Sequence, residues 1–365
     1  MVTEVAGTLG PPPRRLEIVF RADASAAIGT GHVHRCLGVA DELKARGHGI
    51  AFVCRSEPGH LVDLVRGRGF ECLVLPAGVA SDEDARLTAT CVARAKGVVD
   101  WVVVDHYGLD AAWENAVRGC ARRLFVVDDL ADRLHESDIL LDASHGEDAS
   151  GRYRDLVPDF TKLLLGPSYI LLRREFFGRP QTPRSLRPVR RILMTFGGND
   201  PLNMTGLALR ALDHPAFSSI ALDVTVGTSN PRLAEVQQQA AALAQATLHV
   251  QHPKPSILMQ QADLCLGAGG TTSWERCYLG LPSLIVVLAD NQREIAERLD
   301  RMGVVRSLGD GSKLGIRDLQ TAVQSAIQDQ AWQLASSRAG QALVDGGGIE
   351  RMVRVIESMD GQLGL

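Results

Sequence analysis

The sequence predicts an α/β protein of 365 residues with two doubly wound, Rossmann-like domains that face one cleft. Three observations predict this fold class. Short, near-continuous apolar runs alternate with amphipathic stretches of helical length, as in a parallel sheet covered on both faces. The chain is longer than one hydrophobic core usually supports. The alternation stops at a basic, proline-rich segment, 178–190, and then starts again, which is typical of a linker between domains.

The first domain is predicted over 16–177, after a flexible, proline-containing tail at 1–15. Its predicted strands are LEIVF (16–20), IAFVCR (50–55), CLVLP (72–76), WVVVD (101–105), RLFVVDD (123–129) and DILLD (138–142). Helical periodicity between them predicts helices over 32–46, 59–67, 82–96 and 110–121.

The second domain is predicted over 191–345, with the last residues, 346–365, forming a separate C-terminal helix. Its predicted strands are RILMTFGG (191–198), IALDVTVG (220–227), ADLCLGAGG (262–270) and SLIVVLA (283–289). Helices are predicted over 202–212, 231–245, from 273, over 291–302 and from 315 onward.

Composition narrows the function class. The formal net charge is -4 and no basic stripe is present, which argues against nucleic acid as the partner and favours a small molecule. No apolar run reaches the length of a membrane span, so no membrane partner is expected. Seven scattered cysteines without a CxxC pair argue against a disulfide framework. A reducing, cytoplasmic location is therefore expected.

Ligands of open parallel sheets bind outside the carboxyl ends of the strands, so the loops that follow strands are the candidate site. The first, RADASAAIGTGHVHRC (21–36), places Gly29 and Gly31 before a helix that begins near His32. The glycines allow close backbone approach, and a histidine titrates near neutrality, as a general base requires. The alternative is that His32 is only a polar residue at a helix start.

The second candidate loop is LGAGGTTSWERC (266–277), a glycine-rich turn followed by hydroxyl side chains at a helix start. Backbone N–H groups at such a turn can hold a diphosphate. Glu275 lies just inside that helix, where its carboxylate could accept hydrogen bonds from the two vicinal hydroxyls of a ribose. The alternative is a solvated glutamate placed favourably in the helix dipole.

The remaining strand-end loops carry further polar residues. In TFGGNDPLN (195–203), Gly198 and Asn199 could line the cleft, or the segment could be a tight turn capped by Asp200. Two other strands end in Asp105-His106-Tyr107 and Asp128-Asp129, which could bind a sugar or orient His32. No metal-ligand spacing accompanies them, so neither a metal nor another cofactor is predicted.

These blocks, taken together, resemble the PseG/SpsG family. The matching segments run in order from residue 21 to about 292 and include VVVDHYGLDAAWE, LLGPSYILLRREF, TFGGNDPLNMT and GAGGTTSWERCYLGLPSLIVVLADNQ. The family contains the UDP-2,4-diacetamido-2,4,6-trideoxy-β-L-altropyranose hydrolase of pseudaminic acid biosynthesis. It is similar in fold to the MurG-like, GT-B glycosyltransferases, in agreement with the two predicted domains.

The resemblance implies hydrolysis of a nucleotide-activated amino sugar at the anomeric C1–O bond, with inversion and release of UDP. It implies that His32 activates the attacking water and that Tyr107 faces the sugar. It implies a substrate and nucleotide site formed by Arg21, Asp23, Gly29, Gly31, Gly198, Asn199, Gly269, Gly270, Thr271, Thr272, Glu275, Asn291 and Gln292. The expected partners are a UDP-sugar, or another nucleotide sugar, and water.

The resemblance breaks down in one loop. Many relatives have a Gln-Asn pair after the DILLD strand, whereas this chain has Ala143, Ser144 and His145. This difference indicates a different sugar, so the reaction class is better supported than the named substrate. A GT-B glycosyltransferase with an acceptor other than water is the main alternative, because the same scaffold serves both reactions.

Overall fold

The computed structural model describes residues 14–25, 28–144, 147–176 and 187–360, which form two parallel α/β sheets. This confirms the predicted fold class of two doubly wound domains. The predicted tail at 1–15 and linker at 178–190 lie largely outside these ranges.

The first sheet has seven parallel strands in the order β3-β2-β1-β4-β5-β6-β7. They are β1 (Glu17–Ala22), β2 (Gly49–Arg55), β3 (Glu71–Leu75), β4 (Val99–Asp105), β5 (Ala121–Val127), β6 (Ile139–Asp142) and β7 (Lys162–Leu165). The helices between the strands are α1 (Gly31–Ala45), α2 (Val62–Gly67), α3 (Ser81–Lys96) and α4 (Ala111–Val117). Strand β7 was not predicted.

Both faces of this sheet are buried, which explains the near-continuous apolar strands. In β4, Trp101 and Val103 pack into the core beneath α1. Val102 and Val104, which point the other way, pack with Trp113 of α4 in a second core. The two-residue period of a strand therefore distributes one apolar run between two cores.

The second sheet has six parallel strands in the order β10-β9-β8-β11-β12-β13. They are β8 (Arg191–Thr195), β9 (Ala221–Val226), β10 (Ala246–Val250), β11 (Leu264–Ala268), β12 (Ser283–Val287) and β13 (Arg306–Asp310). Its helices are α5 (Met204–Leu212), α6 (Leu233–Ala241), α7 (Pro255–Gln261), α8 (Thr272–Tyr278), α9 (Arg293–Arg301), α10 (Ile316–Gln328) and α11 (Gln330–Leu343). The edge strands β10 and β13 and the helix α7 were not predicted.

The final helix, α12 (Gly348–Asp360), lies in the segment predicted as a C-terminal helix, but it packs on the first domain. Its apolar face completes the core beneath α1 with Ile349, Met352, Val353 and Ile356. Its Glu357 accepts hydrogen bonds from Arg46 at 3.0 Å and pairs with His48 at 3.2 Å. The chain therefore crosses back to the domain in which it began.

In each sheet the strand order reverses once, between β1 and β4 and between β8 and β11. Such a switch point opens a crevice outside the carboxyl ends of the strands. The loop after β1 leads into His32 at the start of α1, and the loop after β4 contains Tyr107. The loops after β8 and β11 contain the two glycine-rich segments. The sheet topology therefore places the loops that the sequence predicted as the site at these two crevices.

Two expectations from composition concern cysteines and membranes. All seven cysteines are free, and six of them are buried. No helix in the described part of the chain is long and apolar enough to span a bilayer. The cytoplasmic location stays a prediction.

Candidate active site

His32 lies in the first turn of α1, immediately after the turn that follows β1. The turn is closed by paired backbone hydrogen bonds between Ser25 and Gly29, whose φ of 80° is a conformation that glycine adopts without strain. The His32 side chain is 6% exposed, and its Nδ1 lies 2.6 Å from Asp105 Oδ1 at the end of β4. The suggestion that a strand-end aspartate orients His32 is therefore confirmed, and that residue is Asp105.

Arg35, one helical turn after His32, holds Asp105 from the other side. Its Nε donates to Asp105 Oδ2 at 2.5 Å and its Nη2 to Asp105 Oδ1 at 2.6 Å. Burial alone would raise the pKa of the Asp105 carboxyl, but the charge of Arg35 and the hydrogen bonds from Arg35 and His32 hold that pKa well below its usual value. Asp105 is therefore an ionised, acceptor-only carboxylate.

This geometry determines which nitrogen of His32 carries the proton. An ionised carboxylate cannot donate, so the contact of 2.6 Å requires a hydrogen on Nδ1, and the longer approach of Arg35 Nη2 to Nδ1, at 3.2 Å, is then not a hydrogen bond. In the neutral ring, Nε2 then carries the lone pair. The charge of Arg35 meanwhile compensates that of Asp105. The arrangement leaves Nε2 able to accept a proton, as a general base must.

Tyr107 follows the same strand as Asp105 and packs edge-on against His32. The two ring centroids are 4.6 Å apart and the ring planes lie at 84°. Burial raises the pKa of the Tyr107 hydroxyl, and the charge of Asp129 and a hydrogen bond to that carboxylate add to the effect. Tyr107 is thus a neutral hydrogen-bonding group fixed beside the imidazole.

Arg21 and Asp23 lie deeper than predicted. Arg21 is fully buried, and its guanidinium is shared by Asp23 at 2.7 Å and Asp84 at 2.6 Å. Asp23 also accepts the backbone N–H of Arg55 at 2.7 Å and pairs with His106 at 3.4 Å. Direct contact of Arg21 with a substrate does not fit this geometry, because both carboxylates already hold it in the interior. The pair instead supports the floor of the β1 and β4 loops.

The loop after β11 faces the His32 turn across the cleft. The position that a Cβ on Gly31 would occupy lies 3.8 Å from Thr271 Oγ1, so the starts of α1 and α8 meet there. In the described part of the chain, the backbone N–H groups of Gly270, Thr271 and Thr272 donate no hydrogen bond. Gly269 N–H instead donates to Val286 at 3.0 Å. Three donors are thus available to an acceptor at this point.

Glu275 of α8 is nearly buried, at 8% side-chain exposure, which contradicts the alternative of a solvated glutamate. Arg173 holds it through a bidentate ion pair, with Nε on one carboxylate oxygen and Nη2 on the other at 2.5 Å. Each carboxylate oxygen has a second lone-pair site, so two hydroxyl donors can still be accepted. Nearby, burial and the positive charges of Arg173 and Arg68 lower the pKa of His34 to about 4.

The loop after β8 divides into an exposed and a structural part. Gly198 and Asn199 are exposed at the carboxyl end of the sheet. Asp200 is buried and accepts the backbone N–H groups of Met204 at 2.9 Å and Thr205 at 2.7 Å. Asp200 therefore caps the first N–H groups of α5, although the N-cap residue itself is Asn203, whose Oδ1 accepts the Gly206 N–H at 3.3 Å.

Asn291 and Gln292 lie in a short 3-10 helix after β12, beside the β11 loop. Gln292 Oε1 accepts the Leu288 N–H at 3.0 Å, and its Nε2 lies 3.8 Å from where a Cβ on Gly270 would be. Asn291 is exposed. Gln292 therefore adjoins the predicted diphosphate loop, and its oxygen has a structural partner.

The loop that departs from the family pattern lies between the domains. Ser144 turns back on its own strand, because its N–H and hydroxyl both donate to Asp142 Oδ1, at 2.9 and 2.6 Å. Its carbonyl accepts Arg298 Nη1 of α9 at 3.1 Å. His145 lies outside the described residues.

Sequence reasoning missed the arginines that hold these groups in place. Arg35 could have been found from its spacing, since residues three apart share a helix face with His32. Arg173 lies in the LLRREF segment, but its partner in the other domain gave no sequence signal. Among the described residues, no group of three or more His, Cys, Asp or Glu side chains is arranged to hold a metal ion.

No family model matches the chain. It is 25% identical over 224 residues to the spore coat polysaccharide biosynthesis protein SpsG of Bacillus subtilis, covering 61% of this chain and 65% of that protein. It is 25% identical over 288 residues to the uncharacterized protein MJ1062 of Methanocaldococcus jannaschii, covering 76% of this chain and 57% of that protein. The chain thus spans less than two thirds of the length of these two relatives.

A third relative is the UDP-2,4-diacetamido-2,4,6-trideoxy-β-L-altropyranose hydrolase of Campylobacter jejuni. It is 25% identical over 289 residues, covering 79% of this chain and 97% of that enzyme.

Solved structures show the same fold at low sequence identity. Acinetobacter baumannii MurG superposes with a TM-score of 0.66 at 14% identity, covering 94% of this chain and all of that one. A putative UDP-N-acetylglucosamine 2-epimerase from Listeria monocytogenes gives 0.65 at 14% identity, covering 96% and 98%. The calicheamicin glycosyltransferase CalG4 gives 0.58 at 19% identity, covering 96% and 100%. The chain therefore has the GT-B fold, and the resemblance to the PseG/SpsG family that its motifs indicated is confirmed by relatives bearing both names.

Proposed function

We propose that this protein hydrolyses a UDP-activated amino sugar at its anomeric C1–O bond with inversion, releasing UDP and the free sugar. The observation that carries the proposal is the His32–Asp105 contact of 2.6 Å, located where the first domain faces the glycine-rich loop of the second. The named relative from Campylobacter jejuni supports the reaction class.

The proposed step uses the two domains from opposite sides. Inversion requires water and the leaving group on opposite faces of the anomeric carbon. His32 Nε2 takes a proton from water, the water oxygen bonds to C1, and the C1–O bond to the diphosphate breaks with its electron pair. Asp105 stabilises the imidazolium that forms, as a carboxylate partner of a histidine base does. Tyr107 is placed to contact the sugar beside the imidazole.

The second domain holds the nucleotide in this proposal. Negative charge develops on the diphosphate as it leaves, and the available N–H groups of Gly270, Thr271 and Thr272 can stabilise it there. Glu275 accepts the ribose hydroxyls, oriented by its ion pair with Arg173. Gln292 adjoins the same loop, and Gly198, Asn199 and Asn291 are proposed to complete the nucleotide and sugar contacts.

The proposed substrate is a class of nucleotide sugars, not one named compound. A pseudaminic acid-type UDP-sugar, or a related nucleotide sugar with another acylamino pattern, fits the relatives and the altered loop at Ala143 and Ser144. That loop contacts α9 through Arg298, which brings Ser144 of the first domain against the second domain.

The test is turnover in ¹⁸O-labelled water. The purified protein is incubated with UDP-2,4-diacetamido-2,4,6-trideoxy-β-L-altropyranose without an added acceptor, and UDP and sugar are followed by mass spectrometry. Label in the free sugar and none in UDP is the expected result. Label in UDP would contradict C1–O cleavage. Tight UDP binding without turnover would favour a GT-B glycosyltransferase that lacks its acceptor, or a different sugar.

A further inference from the structure

Arg276 of α8 is a buried cation behind the glycine-rich loop. It is 1% exposed, and its Nη2 donates to the carbonyl of Ala268 and to Ser273 Oγ, both at 2.7 Å. Its Nη1 reaches only Cys265 Sγ at 3.4 Å, and its Nε has no partner. The guanidinium is thus bonded to neutral groups.

No carboxylate in the described ranges forms an ion pair with Arg276. Arg21, which is also fully buried, shows how this chain neutralises such a charge, since Asp23 and Asp84 flank it. An arginine side chain does not lose its proton in proteins, so Arg276 keeps its charge. An uncompensated buried charge is destabilising, so its retention calls for a reason.

Gly267 of β11 leaves the space that the Arg276 guanidinium fills. A Cβ on Gly267 would lie 2.6 Å from Arg276 Nη1 and 2.4 Å from the Thr195 carbonyl. A glycine in the middle of β11 is unfavourable for a strand, and here the close approach of the Thr195 carbonyl requires it, with the Arg276 guanidinium in the space beside it. The cation therefore occupies a space that β11 leaves open.

Both acceptors of Arg276 Nη2 border the segment with available N–H groups. Ala268 ends β11, Ser273 lies in the first turn of α8, and Gly270, Thr271 and Thr272 lie between them. The guanidinium thus fixes both ends of the loop and places a full positive charge directly behind it.

We propose that Arg276 is a positioning residue whose permanent charge, acting through Ala268 and Ser273, selects a dianionic diphosphate at this loop. The negative charge that balances Arg276 is supplied by the bound diphosphate, and Arg276 itself does not contact the diphosphate. This inference rests on the proposed function, which places the diphosphate of a nucleotide at the loop. The charge also favours departure of the diphosphate, because negative charge grows there in the transition state.

The test compares two variants of similar side-chain length that differ in charge, R276K and R276Q, by calorimetric titration with UDP and with uridine. R276Q is expected to bind UDP on the order of 10- to 100-fold more weakly than R276K, because a unit charge a few ångströms from the phosphates is lost. Uridine, which has no phosphate, is expected to bind both variants alike. R306Q removes a positive charge at the amino end of β13 and is expected to bind UDP like the wild type.

A purely structural role would weaken UDP and uridine equally in R276Q, and that result overturns the inference. Equal UDP affinity of the Lys and Gln variants overturns it as well, while the proposed nucleotide site stands if the wild type binds UDP. A wild type that binds no UDP overturns the inference and the proposed function together. R276M, measured with the same two ligands, provides the neutral variant if R276Q does not fold.

Discussion

Asp105 ends β4 with both carboxylate oxygens used as acceptors. Oδ1 accepts from His32 Nδ1 and from Arg35 Nη2, and Oδ2 accepts from Arg35 Nε. Replacing Asp105 with asparagine keeps the shape but turns one oxygen into an NH₂ group. Whichever way the amide is placed, that NH₂ meets a donor, either on Arg35 or on both neighbours.

Two effects of Asp105→Asn follow from these contacts. If the NH₂ faces Nδ1, the imidazole proton moves to Nε2, and the base is lost. The corresponding change in a Ser-His-Asp triad lowers kcat by about 10⁴, which sets the scale for a wrong tautomer. In either placement Arg35 loses the negative charge of Asp105 that balances it. The Arg35 side chain is only 15% exposed, so water cannot fully replace that charge. Removing one partner of a buried pair costs about 3 to 5 kcal/mol of folding free energy.

The assay for Asp105→Asn is UDP release under steady-state conditions, with UDP affinity by calorimetry and urea unfolding measured beside it. We expect kcat to fall roughly 10³- to 10⁴-fold, UDP affinity to stay within a few-fold, and the urea midpoint to decrease. Asp223→Asn is the matched control, since Asp223 is a buried carboxylate of β9 that also pairs with an arginine, Arg191, at 2.7 Å and a histidine, His249, at 2.9 Å, but does not belong to the candidate site. A kcat within tenfold of wild type for Asp105→Asn would refute the reasoning that the negative charge of Asp105 supports the His32 base.

Three further predictions concern the other groups of the site. His32→Asn should lower turnover by roughly 100- to 10,000-fold with UDP affinity nearly intact, and near-normal turnover would rule out His32 as the base. Glu275→Ala should mainly weaken UDP binding in calorimetry. Arg173→Met should weaken UDP binding less, because the Glu275 carboxylate remains and loses only the arginine that orients it. Unchanged UDP affinity in both variants would contradict ribose binding at Glu275. The pKa of His34 is lowered from 6.5 to about 4, so the unfolded chain binds the extra proton first, and stability present above pH 6.5 is lost as pH falls toward 4. His34→Gln should flatten that decline in urea midpoints, and an equally steep decline in the variant would show that other groups cause it.

The sequence predicted the interior of the fold better than its edges. Strands buried on both faces, such as β4 and β12, need unbroken apolar runs, and those runs are visible in the sequence. The edge strands β10 and β13 are half-buried, so ATLHV and RSLGD carry no such signal. The helix predicted over 231–245 ends at Ala241 in the structure. The prediction was too long because residues 242–245 also have a helix-favouring composition, although they lead into β10.

The site residues also divide into those that the sequence could predict and those that it could not. The strand-end rule brought His32, Asp105 and Tyr107 together correctly, because parallel topology fixes where strand ends meet. The partners of Arg21 and Glu275 could not be predicted. Asp84 and Arg173 approach them from elements far along the chain, and the choice of partner depends on packing between those elements.

The return of α12 to the first domain has a consequence for synthesis on the ribosome. Ile349, Met352, Val353 and Ile356 fill the core beneath α1 with 3% exposure or less, and they are translated only after the whole second sheet. The first domain therefore emerges with an open apolar face that its own strands cannot cover. Its folding can be completed only after the second domain has been made, so the nascent chain needs protection from aggregation until α12 has emerged.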